Sequence, residues 1–216
     1  MPKKNRKGSR PIQAKKKTNG RQIAIIVLVL GMVLAAIALF MLFSNDRSSG
    51  GSADIGQMPD GLAAASVSGA KKISGAQPIK GKPAPNFAFK YANGDQFTLA
   101  DFQGKPVIVN FWATWCPPCR REMPGLVKAY EAHKDEGLVI IEVDVAETPE
   151  QVAPFVAEKQ MTMPVVLDQK QEITRLYRTD SFPTSFFIDK DGIIQARWVG
   201  YLPEDQLDLN LKSIMP

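Results

Sequence analysis

Only two cysteines occur in this chain, Cys116 and Cys119, and they stand three positions apart in Trp115-Cys116-Pro117-Pro118-Cys119. Cysteine performs reversible two-electron chemistry with its own side chain, so a lone adjacent pair points to thiol–disulfide exchange. Two blander uses are weaker. A structural bridge across two residues closes almost no loop and removes little unfolded-state entropy. A zinc site needs about four ligands, and the chain adds only His133, which sits with Glu131, Lys134, Asp135 and Glu136 on what reads as a solvated helix end. No metal is expected, and the redox-active Cys116–Cys119 disulfide takes the place of a cofactor.

The flanks say how the pair is held. Lys105-Pro106-Val107-Ile108-Val109-Asn110-Phe111-Trp112 reads as a buried strand, and 120–134 as a helix. Cys116 then falls at the helix N-terminus, where unpaired N–H groups and the macrodipole stabilise an anion. It is the expected attacking thiolate. Pro117 suits the first helical turn, since its missing N–H would find no partner there. Cys119 lies one turn on, facing inward, and is the expected resolving thiol. Glu122 follows a turn later. A carboxylate there would relay protons or tune the thiols; the residue pattern equally fits a solvent-facing position beside Arg120 and Arg121. Pro124 in mid-helix should kink it. Phe182-Pro183-Thr184 precedes another strand. On pattern alone Pro183 fits an ordinary trans proline at a strand's start, cis being found in about 5–6% of X–Pro bonds.

Further elements follow from periodicity and turn residues. Strands at 87–89 and 96–99 flank Asn93-Gly94, a strong hairpin signal. Apolar strands are expected at 138–143 and 165–167, helices at 149–159, 171–177 and 203–214, and a second hairpin at 184–188 and 193–199. Strands alternating with helices imply an α/β fold with a mixed sheet covered on both faces.

The N-terminal third differs. Nine of the 27 lysines and arginines lie in 1–22, which contain no acid, leaving 18 cations against 22 acids elsewhere. The net charge of +5 is therefore local and says nothing of the main domain's partner; nucleic acid is not expected. Residues 23–43, IAIIVLVLGMVLAAIALFMLF, carry no charge. At ~1.5 Å per residue such a helix crosses the ~30 Å hydrocarbon core. Nothing suitable for signal cleavage follows Phe43, so an uncleaved anchor in the lipid bilayer is expected. By the positive-inside rule the basic segment is cytoplasmic and the remainder lies outside. Residues 44–82 are rich in Ser, Gly and Ala and read as a flexible linker, with a weak helix near 59–67.

The run Val109-Asn110-Phe111-Trp112-Ala113-Thr114-Trp115-Cys116-Pro117-Pro118-Cys119-Arg120-Arg121-Glu122-Met123-Pro124 resembles the active site of the thioredoxin superfamily. It is most similar to the TlpA/ResA-like branch of membrane-anchored extracytoplasmic thiol–disulfide oxidoreductases. Pro183-Thr184-Ser185-Phe186-Phe187-Ile188-Asp189 with Gly192 resembles the family's cis-proline strand and hairpin, and Gly81-Lys82-Pro83-Ala84-Pro85-Asn86-Phe87 its opening, shared with peroxiredoxins. The resemblance implies a cis Pro183 packed against the cysteines, and Glu122 as the active-site acid. It implies a substrate groove bordered by Trp115, Phe182, Pro183 and Thr184. The Pro-x-x-x-Thr-x-x-Cys pattern of peroxidases is absent. Ser185 stands where cytochrome-maturation reductases of the CcmG type carry an acid, so cytochrome c maturation is only one pathway open to the chain.

The expected organisation is a basic cytoplasmic segment (1–22), a transmembrane helix (23–43), a flexible linker (44–82) and a thioredoxin-fold domain with an N-terminal β-hairpin extension (83–216). The expected site is Cys116, Cys119 and Glu122 as catalytic residues, with Trp115, Phe182, Pro183 and Thr184 against the substrate. The expected activity is reduction of protein disulfides outside the bacterial inner membrane, with a membrane electron donor restoring the dithiol. A thiol oxidase and a non-catalytic binding or chaperone module are the alternatives.

Overall fold

The computed structural model describes residues 61–67 and 70–215, with helical backbone at Leu28, Leu30, Gly31 and Met32. The basic segment, most of the expected span 23–43 and the first part of the linker lie outside the described residues. Among the described residues no helix is long and apolar enough to cross a membrane.

Within the described residues from 61 onward, eight strands and four α-helices follow in chain order. They are β1 (Leu62–Ser66), β2 (Ala88–Tyr91), β3 (Gln96–Thr98), β4 (Val107–Trp112), α1 (Pro117–His133), β5 (Val139–Val145), α2 (Pro149–Lys159), β6 (Val165–Asp168), α3 (Glu172–Leu176), β7 (Thr184–Ile188), β8 (Ile194–Val199) and α4 (Glu204–Lys212). The strands form one sheet in the order β3-β2-β1-β6-β5-β4-β7-β8. β4, β5, β6 and β1 run parallel, while β7 returns antiparallel beside β4 and carries β8.

β4 and β5 are buried along their whole length, as parallel strands covered on both faces must be. Alternation sends Val107, Val109 and Phe111 to one core layer with Phe89, Phe102 and Tyr177. Ile108 and Trp112 go to the other, with Cys119, Met123 and Leu126 of α1, Val152 and Phe155 of α2, and Leu207 and Leu211 of α4. The redox helix is thus clamped over the centre of the sheet. α1 runs on through Pro124.

One expectation fails. Leu62–Ser66, read as linker or weak helix, is β1, hydrogen-bonded between β2 and β6. Leu-Ala-Ala-Ala-Ser has little strand propensity of its own. Two neighbouring strands hold it, a non-local cause. The domain edge drawn at 83 therefore omits a strand of the sheet. The hairpin at Asn93-Gly94 stands as expected, with Gly94 at φ 100°, a backbone state that suits glycine.

Candidate active site

β4 delivers the chain into the turn at Ala113–Trp115, and α1 starts directly after it. Cys116 is the N-cap of α1, and its sulfur accepts from the Cys119 N–H at 3.3 Å. This is the helix-terminal placement that favours a thiolate. Pro117 opens the helix. Cys116 and Cys119 are joined as a disulfide, their Cα atoms 5.3 Å apart. Cys119 is wholly buried, and Cys116 is only 3% exposed, far less open than an attacking thiol at a helix start would suggest. It packs into the same core layer as Trp112, and Phe182 lies against that layer too.

Glu122 is not solvent-facing, one of the two placements its sequence left open. It is buried on the core side of α1, and its Oε2 accepts from the Leu202 N–H at 2.8 Å. Oε1 has no hydrogen-bond partner among the described residues. Burial pushes its carboxyl up to about 8, opposed by the Leu202 N–H and the nearby Asn110 amide. At neutral pH it is a proton holder within one helical turn of Cys119.

The second wall comes from β7. The Phe182–Pro183 bond is cis. Thr184 pairs with Phe111, which sets Pro183 level with Trp112 at the end of β4. The Pro183 carbonyl accepts from Gly200 N–H at 2.8 Å, and the buried Thr184 hydroxyl donates to the Ser181 carbonyl. Trp115, 64% exposed, meets the half-buried Phe182 ring edge-on at 6.4 Å. Trp115, next to Cys116 in the chain, thus forms an apolar pair with Phe182, while Pro183 and Thr184, which follow Phe182, are buried. A cavity of about 520 Å³ lined by Lys71, Ile73, Asn86 and Phe102 shares no residue with this site.

Residues 80–197 match the AhpC/TSA family. The chain belongs to that family. Within this thioredoxin-superfamily group it is 42% identical over 136 residues to the thiol-disulfide oxidoreductase ResA of Bacillus thuringiensis, a match spanning 63% of this chain and 79% of the relative. Among solved structures, a thioredoxin-family thiol:disulfide interchange protein of Chlorobium tepidum aligns at 30% identity and TM-score 0.57, covering 62% of this chain and 96% of that one. StoA of Bacillus subtilis aligns at 31% identity and TM-score 0.51, covering 59% and 96%.

In this AhpC/TSA-family chain two groups at the site escaped the sequence reading. Backbone of the 200–202 loop holds both Pro183 and Glu122, a role no side chain advertises. Glu147, nearly buried in the loop after β5, accepts from both the N–H and the hydroxyl of Thr114 at 2.6 Å. Arg120 donates to the Thr114 carbonyl at 3.2 Å. All three polar groups of the residue two before Cys116 are thus tied down. Charge-assisted bonds of this kind contribute about 1.5–3 kcal/mol each. Glu147→Ala should cost roughly 2–3 kcal/mol in urea unfolding and slow disulfide reduction, with Glu147→Gln intermediate. Unchanged stability in the alanine variant would remove Glu147 from this role.

Proposed function

We propose that this thiol–disulfide oxidoreductase is anchored in the inner membrane by residues 23–43 and reduces disulfides of proteins on the outer side. One observation carries the redox reading: a disulfide at a helix N-terminus, with a buried proton-holding acid one turn further along the helix and the Trp115–Phe182 ring pair beside it. The uncharged 21-residue run behind nine cations supports the anchor and its orientation. The thiol-disulfide oxidoreductase ResA relatives support the exchange chemistry.

In the reduced enzyme the Cys116 thiolate attacks one sulfur of the substrate disulfide. That S–S bond breaks, and the leaving thiolate takes a proton from water. In the fraction of molecules whose Glu122 is ionised, Cys119 then passes its proton to that carboxylate and attacks the Cys116 sulfur, releasing the second substrate thiolate. Two electrons leave the pair, which closes as the Cys116–Cys119 disulfide. A membrane electron donor reopens it. Trp115, Phe182 and Pro183 seat the apolar flank of the substrate chain, and Thr184 fixes the turn that carries them.

The full-length Cys119→Ala variant tests this reading, because it stalls at the first intermediate. Disulfide-linked adducts through Cys116 should accumulate in the membrane fraction and vanish on reduction. Adducts in the soluble fraction would overturn the anchor, and absence of adducts the catalytic roles. The reduction potential of the wild-type pair should lie near the roughly −270 mV of thioredoxin, whereas a value near about −120 mV would mark an oxidase.

A further inference from the structure

At the end of the sheet far from the disulfide, the core is open. A cavity of about 520 Å³ lies against Val107, the first residue of β4, and Ile188, the last of β7. Strands rise about 3.3 Å per residue, so β4 puts roughly 16 Å between this cavity and the Trp112 end, where Cys116 follows. Ala84, Leu99, Phe102, Val107 and Ile188 form its apolar floor, and all five belong to the core layer that lacks the cysteines. Its walls are tied together. The buried Asn86 side chain donates to the Lys71 carbonyl and accepts from the Ala100 N–H, both at 3.0 Å, joining the segment after β1 to the turn at Leu99–Phe102. Ala84 N–H donates to the Gly192 carbonyl at 2.9 Å, and Gly104 N–H to the Lys190 carbonyl at 2.7 Å, which fixes the loop between β7 and β8 against the same rim. The hollow therefore exists before anything enters it. Preformed, mostly apolar cavities of about 300–1,000 Å³ with a few placed polar groups are the usual form of a small-molecule site.

The rim carries an excess of one charge. Lys71, Lys72 and Lys105 line the cavity, and none of them is in an ion pair among the described residues. Two acids line it as well. The Asp189 carboxylate is engaged within its own loop: Oδ1 accepts from the N–H groups of Asp191 and Ile193, and Oδ2 from the Gln195 amide. Asp191 remains, one exposed carboxylate against three ammonium groups. An apolar floor with cations at its mouth matches a molecule that is apolar at one end and anionic at the other. A bare anion would gain nothing from the floor, and a wholly apolar guest would gain nothing from the lysines.

We propose that this cavity is a binding site for a small apolar carboxylate. The hydrocarbon body rests on Phe102, Val107 and Ile188, and the carboxylate sits among Lys71, Lys72 and Lys105. The site is separate from the redox pair and does not depend on the role of the disulfide.

The probe is naphthoate, titrated into the full-length protein in phosphatidylcholine nanodiscs and followed by methyl NMR of Ile73, Val107 and Ile188, which line the cavity. Saturable shifts of these methyls are expected. Naphthalenemethanol, the uncharged counterpart, should bind about tenfold more weakly. Lys71→Gln combined with Lys105→Gln should weaken naphthoate by a similar factor of about ten and leave the alcohol unchanged. Ala100→Trp, at an exposed residue of the cavity wall, fills the mouth and should abolish the shifts. The unfolding midpoint of the wild type gives a readout that needs no variant: naphthoate should raise it as occupancy grows, and the alcohol should raise it less. Equal affinity for naphthoate and the alcohol overturns the anionic head, and the absence of saturable shifts up to about 10 mM overturns the site. The same shifts in phosphatidylglycerol nanodiscs with no naphthoate present would assign the cavity to a lipid headgroup and overturn the free carboxylate.

Discussion

Replacing Glu122 by glutamine should slow the resolving step by about a hundredfold, the lower end of what a positioned general base contributes. Cys119 is wholly buried, so water has little access to its proton, and Glu122 is the acid one turn away on the same helix. Glutamine retains an oxygen for the Leu202 N–H, so the fold should survive and the first attack by Cys116 should proceed. The mixed disulfide should then accumulate. The rate should also lose its rise between about pH 6 and 8, the range below the Glu122 carboxyl at about 8 in which a growing fraction is ionised. Stopped-flow decay of a preformed mixed disulfide measures this directly. Decay at the wild-type rate with the same pH profile would show that Cys119 loses its proton elsewhere.

The redox pair was legible because its chemistry is local: spacing, a preceding apolar strand and a following helix are all contiguous in the chain. Most elements of the sheet could be read from periodicity for the same reason. Leu62–Ser66 could not, because nothing in five small residues specifies a strand until β6 and β2 close on it. Glu147 could not, because its partner Thr114 is 33 residues away. The burial of Cys116 is likewise tertiary. Position at a helix N-terminus predicts its charge preference, while its exposure depends on how Trp112 and Phe182 pack around it. Glu142 and Asp144 did leave a trace, being acids inside the otherwise apolar Val139–Val145. A strand buried on both faces has no solvated side for them, so such acids mark a site before any coordinates are seen. Glu122 needed the fold, since both its faces of α1 were open until the core layer was known.

The acids beneath the disulfide should also make the protein less stable as pH rises. Glu122, Glu142 and Asp144 are held at about 8, against ordinary values of 4.5, 4.5 and 3.8. Burial is the leading cause for each, and for Asp144 contact with Glu147 and the charges of Glu147 and Asp168 add to it. The native state therefore keeps protons that the unfolded chain releases near pH 4–4.5. Between there and about 8 the unfolded state binds fewer protons, so unfolding free energy falls with increasing pH. Each group contributes up to about 1.4 kcal/mol per pH unit in that window. The exposed acids Glu131, Glu150 and Glu158 are shifted the other way, but their contribution is lost only below about pH 4.5 and leaves this range untouched. Urea unfolding of the oxidised protein in detergent should show a loss of at least about 2 kcal/mol between pH 5.5 and 8.5. Glu142→Gln combined with Glu122→Gln should flatten most of that slope, because two of the three proton holders are gone. Stability that stays level or rises over this interval would mean that the three carboxyls are ionised in the folded protein, and the proton chemistry assigned to Glu122 would fall with them.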